Sequence, residues 1–184
     1  KEIDSRITHP GNRYETVQEI HDYLCETLSY DTAAGNNLNV EEYNYAHTSS
    51  TAFLGYNGKK EVVCEGYAKA FKVLCDQWNI PCVLVMGNAG NPGVTWGPHM
   101  WNYVQMEDGN WYAVDVTWND PLTGSDTHVS GYENESYLLV GADTVIGSMG
   151  FLDSHPVSNE VTVGGVAFVN GPVLSADAYD PSGA

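Results

Sequence analysis

Three residues of this chain have the types and settings that cysteine chemistry needs. Cys64 opens the run Cys64-Glu65-Gly66-Tyr67-Ala68-Lys69-Ala70-Phe71, which reads as the start of a helix. A thiol there faces the positive end of the helix dipole and unpaired backbone N–H groups, and both favour the nucleophilic thiolate. His99 starts a strand, and Asp115 lies near the end of the next. Such catalysis takes a thiolate, an imidazole that moves protons, and an acceptor that fixes the imidazole's tautomer. Taken singly, each residue has a plain structural reading: a packed helix thiol, a polar strand histidine, a cap or turn aspartate. Their joint occurrence in these contexts is what points to a site. His9, His21, His47, His128 and His155 sit in no comparable context and are read as structural.

The elements that must carry these residues are legible in the spacing. Cys64, Tyr67, Ala68, Phe71, Leu74, Cys75 and Trp78 form one apolar stripe at helical period, opposite Glu65, Lys69, Lys72 and Asp76. Pro81 blocks continuation. Cys82 to Met86 reads as a buried strand closed by Gly87, and residues 87–98 as an exposed loop forming a mobile wall beside His99. His99–Met106 and Asn110–Thr117 read as a hairpin. A two-residue loop would put His99 and Asp115 on opposite faces. A three-residue loop, with Gly109 in the left-handed conformation, pairs Met106 with Asn110 and puts the two on one face. The three-residue loop is therefore expected.

Before this core, Thr16 and Glu19 read as a capping box for a helix with the stripe Val17, Ile20, Leu24 and Leu28. Residues 31–46 read as a long loop, 47–54 as a short helix stopped by Gly55, and Asn57-Gly58 as a turn. After the core, 121–136 read as polar loop and Tyr137–Val140 as a short strand. The expected division is a domain over 1–156 and a β-rich extension or linker over 157–184.

The 184 residues carry a formal net charge of −17, from 24 acidic and 7 basic side chains. Such a surface repels phosphate backbones, which excludes nucleic acid as an expected partner. No apolar run has the length of a membrane span. The start at Lys1 carries no apolar leader and is read as that of a trimmed or mature chain, secreted or held at the cell surface. None of Cys25, Cys64, Cys75 and Cys82 forms a C-x-x-C pair or a zinc-spaced cluster. For Cys75 and Cys82 a bridge is sterically conceivable, but two reduced, buried thiols are favoured; no metal or other cofactor is expected.

Val63-Cys64-Glu65-Gly66-Tyr67-Ala68, His99-Met100-Trp101-Asn102 and Asp115-Val116-Thr117-Trp118 resemble the three signature blocks of the transglutaminase-like superfamily: C-x-G-Y-A, H-A-W-N and D-x-T-W. The resemblance covers about residues 15–122. Met100 replaces the usual alanine, and Asn119 stands where bacterial members often carry aspartate. The resemblance implies an α+β, papain-like fold, with the nucleophile's helix packed on an antiparallel sheet. It also implies Cys64 as nucleophile, His99 as base and Asp115 as the residue orienting it. The expected chemistry is acyl transfer on amide bonds of a protein or peptide substrate, with hydrolysis as a cysteine peptidase favoured. A protein-glutamine transglutaminase or deamidase, and a non-catalytic binding module of a larger secreted protein, stay open. For the oxyanion, the Cys64 backbone N–H is the first candidate, with Tyr43, Tyr45 and Tyr56 as possible side-chain donors. Trp96 and Trp101 are candidates for either a groove or the core. Oligomeric state is left open.

Overall fold

The computed structural model describes residues 2–36, 41–91, 96–120, 134–158, 161–163, 166–168 and 171–183. The helices in chain order are α1 (Glu2–Arg6), α2 (Arg13–Thr27), α3 (Thr32–Asn36), α4 (Glu41–Ala46), α5 (Ser49–Leu54), α6 (Cys64–Gln77), α7 (Val116–Asn119) and α8 (Phe151–Ser154). The strands are β1 (Ser29–Tyr30), β2 (Glu61–Val62), β3 (Cys82–Ala89), β4 (Gly97–Gln105), β5 (Trp111–Val114), β6 (Val145–Ile146), β7 (Met149–Gly150), β8 (Val161–Val163) and β9 (Val166–Phe168). The fold is α+β, and β3-β4-β5 form its central antiparallel sheet.

Helix α6 follows its stripe. Tyr67, Ala68, Phe71, Leu74 and Cys75 are buried, and the face packs on β3 and β4 with α2 and α5 alongside. The outward face carries two i,i+4 ion pairs, Glu65–Lys69 at 2.5 Å and Lys72–Asp76 at 2.9 Å. Beyond the Trp78 cap, Asn79 takes φ 56° and the Ile80 N–H closes on the Cys75 carbonyl at 2.9 Å. The chain then reverses into β3.

The β4–β5 hairpin has the register of the three-residue loop. Gln105 pairs with Trp111, and the Met106 N–H meets the Asn110 carbonyl at 3.0 Å. Gly109 sits at φ 80°, a conformation that costs a side-chain-bearing residue but not glycine. Val104 on β4 and Met106 just after it face the α6 core, while Trp101 and Tyr103 join Val85, Ala113 and Phe151 in a second core on the opposite face.

Several boundaries differ from expectation. Helix α2 begins at Arg13, because Asn12 Oδ1 caps the Glu15 N–H at 3.1 Å. Thr16 bonds back to the Asn12 carbonyl at 2.6 Å, and Glu19 receives the Thr8 N–H at 2.7 Å. Residues 31–46 contain α3 and α4 rather than one loop, α3 opening under an Asp31 carboxylate that accepts the Ala34 N–H at 2.8 Å. Strand β3 runs on to Ala89 and β4 begins at Gly97, so the loop beside His99 is shorter than 87–98, and its residues 92–95 lie outside the described residues. Strand β5 stops at Val114, since Asp115 caps a helical turn instead of continuing it. Residues 137–140 form no strand: Val140 alone bridges to Ala113, and Leu139 takes φ 54°. The expected polar loop lies outside the described residues over 121–133. Of the tail, β8 and β9 pair as a hairpin, and Leu174 bridges to Trp111.

Candidate active site

Cys64 is the first residue of α6. Its predecessor Val63 is held by an N–H bond to the Ala46 carbonyl at 3.0 Å, which fixes where the helix starts. The Cys64 side chain is half-buried, whereas Cys25, Cys75 and Cys82 are buried; none of the four is in a disulfide. Cys64 and His99 line one cavity of about 370 Å3, together with Glu65 and His47 on one side and Met86, Pro98 and Met100 on the other. Glu65 is counterbalanced there by Lys69 at 2.5 Å and His47 Nδ1 at 2.6 Å. The opposite wall is therefore mostly apolar and the near wall carries paired charges.

His99 Nε2 lies 2.6 Å from Asp115 Oδ2. Asp115 is the N-cap of α7, and its Oδ1 accepts the Trp118 N–H at 3.2 Å. The short helix after β5 thus fixes the rotation of the carboxylate and leaves Oδ2 to the imidazole. A third N–H arrives from His155, whose Nε2 is 3.1 Å from the same Oδ2. With Nε2 on Asp115, Nδ1 is the nitrogen left for the sulfur, and a hydrogen bond with the Cys64 side chain is among the influences on His99.

Burial opposes charge on His99, but the Asp115 carboxylate and its hydrogen bond, with Cys64, overcome it and hold the imidazolium up to about pKa 10. Burial likewise opposes charge on Asp115. The His99 charge and the bonds from His155 and His99 overcome it, so the carboxyl is held well below its usual range. These are two views of one interaction, and its effect on stability counts once. The His99 contribution is complete below its unfolded value of 6.5 and is lost as pH rises through about 10. The Asp115 contribution is complete above 3.8 and is lost as pH falls towards its lowered folded value. Thermal unfolding followed against pH should therefore show the melting temperature falling on the alkaline side from about pH 7 to 10. His99→Gln should flatten that slope; an unchanged slope would place the titrating group elsewhere.

Two residues near the site were not legible beforehand. His155, read as structural, packs fully buried against Asp115. Tyr30 pairs through its backbone with Val62, two residues before Cys64. Its phenol is pushed up to about 12 by burial first and then by the charges of Cys64, Asp31 and Asp115, which puts it within electrostatic reach of the site. Of the tyrosines singled out from sequence, Tyr45 and Tyr56 stack at 3.9 Å beside a separate cavity of about 230 Å3 that Cys64 does not line. The Tyr43 side chain and His128 lie outside the described residues. Trp101 is core, stacked under His99 with ring centres 5.9 Å apart, while Trp96 is 47% exposed. Among the described residues, His99, Asp115 and His155 are the group whose ligand atoms lie close enough to hold a metal ion, and those atoms are engaged with one another.

The profile of the transglutaminase-like superfamily matches residues 1–116, a span that includes Cys64, His99 and Asp115. No curated protein sequence matches the chain. Among solved structures, the crystal structure of a TGase is 22% identical with TM-score 0.48, over 72% of this chain and 33% of that one. A candidate cysteine protease from Cytophaga hutchinsonii is 21% identical with TM-score 0.43, over 63% and 35%. The periplasmic domain of TgpA from Pseudomonas aeruginosa, bound to ethylmercury, is 16% identical with TM-score 0.44, over 64% and 42%. This chain spans about a third of the length of that TGase.

Proposed function

Since the chain belongs to the transglutaminase-like superfamily, whose profile covers residues 1–116, we propose that it is a cysteine-dependent acyl-transfer enzyme acting on amide bonds of proteins or peptides. The observation that carries this reading is the sharing of one cavity by Cys64 and His99, with the His99 imidazole bonded to Asp115 at 2.6 Å. The Cys64 sulfur attacks the amide carbonyl, and the backbone N–H of Cys64, in the first turn of α6, meets the oxyanion. The His99 imidazolium gives its proton to the leaving amine as the C–N bond breaks, leaving an acyl thioester. Water then releases a carboxylic acid, or a second amine releases a new amide. Asp115 holds His99 with Nδ1 towards the sulfur throughout. No step calls for a metal.

Hydrolysis is the favoured outcome, because the cavity beside Cys64 is open to solvent and, among the described residues, the one carboxylate that lines it, Glu65, is already paired with Lys69 and His47. The catalytic domain on this reading is residues 1–156. The acidic surface suits work at or outside the cell surface, and among the described residues no helix is long and apolar enough to cross a membrane. Incubating the protein with a mixed peptide pool, with and without a primary amine, separates the outcomes by mass. Shortened peptides are expected. Amine adducts or a gain of one mass unit at glutamine would assign transglutaminase or deamidase activity instead, and an unchanged pool would favour a binding module.

The thiols supply a second test. Cys64 is the accessible one and faces an imidazolium, so a haloacetamide near neutral pH should modify it first. Faster reaction at Cys25, Cys75 or Cys82 in the folded protein would remove Cys64 as nucleophile.

A further inference from the structure

We propose that His155 is a positioning residue of the same site: its Nε2–H holds Asp115 Oδ2 in place and shares that oxygen with His99. This rests on the function proposed above, but its main test does not depend on activity.

A carboxylate oxygen only accepts, so both imidazoles meet Oδ2 through N–H, His99 at 2.6 Å and His155 at 3.1 Å. The His155 ring is fixed from every side. Its Nδ1 lies 2.8 Å from the Ser154 hydroxyl. Phe151 stacks on it at 4.4 Å, and Trp118 and Trp101 meet it edge-on at 4.5 and 5.3 Å. The segment that carries it is laid along the free edge of β3. The Asn88 N–H bonds the Pro156 carbonyl at 3.1 Å, the Ser158 N–H bonds Met86 at 3.0 Å, and Gly90 bonds Ser154 at 3.1 Å. Gly87 makes this approach possible, since a Cβ there would collide with the Pro156 carbonyl and the Trp101 ring. This segment is thus fastened to the sheet edge at the point where it sends a histidine inward to the carboxylate.

The consequence is chemical. Each N–H on Oδ2 disperses the charge that Asp115 offers to His99. With two donors, the carboxylate holds the His99 proton firmly enough to orient the ring, yet less firmly than it would alone, and a proton held less firmly is easier to give to a leaving amine. The other ionisable groups facing the pair are Cys64 and Glu65 on α6, His47 ahead of α5, Tyr30 on β1 and Tyr137. None of these takes the place of His155 on Oδ2 in the structure.

His155→Phe keeps an aromatic ring in an aromatic cage and removes the donor; His155→Gln keeps an N–H. The His99 ring is titrated by NMR in each folded protein. The Phe variant should move the His99 midpoint upward by about half a unit to one unit, and Gln should return it most of the way. In turnover, kcat should fall about tenfold in the Phe variant with KM unchanged, and the alkaline limb of the pH profile should rise with the midpoint. An unmoved midpoint in the Phe variant, or failure of both variants to fold, would overturn the proposal and leave His155 a packing residue. Absence of turnover in the unmodified protein would count against the proposed function while leaving the titration to decide on His155.

Discussion

Cys64→Ala is expected to abolish acyl transfer, with kcat/KM falling about 10,000-fold or more, while the protein stays folded. Activity should vanish because no other thiol is accessible to take its place: Cys75 in α6, Cys82 in β3 and Cys25 in α2 are all buried. Folding should survive because alanine is the best helix former and Cys64 sits in the first turn of α6, half-buried. Circular dichroism and thermal unfolding check the second half of that statement, and turnover of any peptide cleaved by the unmodified protein checks the first. Retention of activity would end the account of the nucleophile. Loss of both activity and structure would make the result uninformative about chemistry, so Cys64→Ser, which differs by one atom, is the companion variant and should show the same loss with the fold intact.

Asp115→Asn is expected to cost about 1,000-fold in kcat/KM and several degrees in melting temperature. Three N–H groups converge on the two carboxylate oxygens: Trp118 on Oδ1, and His99 and His155 on Oδ2. An amide has one oxygen. If that oxygen stays with Trp118, the NH2 group faces the two imidazoles. His99 must then accept through Nε2, which moves its proton to Nδ1, and the neutral ring can no longer take a proton on the side facing Cys64. If the oxygen turns to the imidazoles, the Trp118 N–H loses its cap and α7 loses its start. Either arrangement leaves a fully buried group mismatched, which is the source of the stability loss. Activity within a few-fold of the unmodified protein would mean that Asp115 orients nothing, and that the bond at 2.6 Å is only structural.

The parts of the molecule that were legible in the sequence are those where a local rule decides. The α6 stripe is a period, and it buried the residues it named from Tyr67 to Cys75. Gly109 is a turn position, and with it came the whole β4–β5 register, including the shared face of His99 and Asp115. Asp115 was legible as a site residue whose plain reading is a cap or turn, but the four-residue α7 that it caps is too short to show a period. Helices α3 and α4 were missed for the same reason: five and six residues in a polar, asparagine-rich stretch carry little pattern, and their stability comes from what they pack against. His155 and Tyr30 were out of reach on different grounds. Each arrives at the site through backbone pairing with a distant segment, 154–158 along β3 and β1 along β2. Pairings between strands that are far apart in the chain leave no mark in the spacing of either one.

A covalent acyl group at Cys64 is the central step of the proposed reaction, so the decisive measurement is to trap it. The protein is mixed with a peptide pool, quenched in acid within seconds, digested, and examined by mass spectrometry for additions to the peptide that holds Cys64. The expected result is a peptide-derived acyl addition at Cys64 that hydroxylamine removes, present in the unmodified protein, absent in Cys64→Ala, and longer-lived in Asp115→Asn. Peptide cleavage that proceeds at full rate in Cys64→Ala, or an acyl group found on another residue, would contradict it.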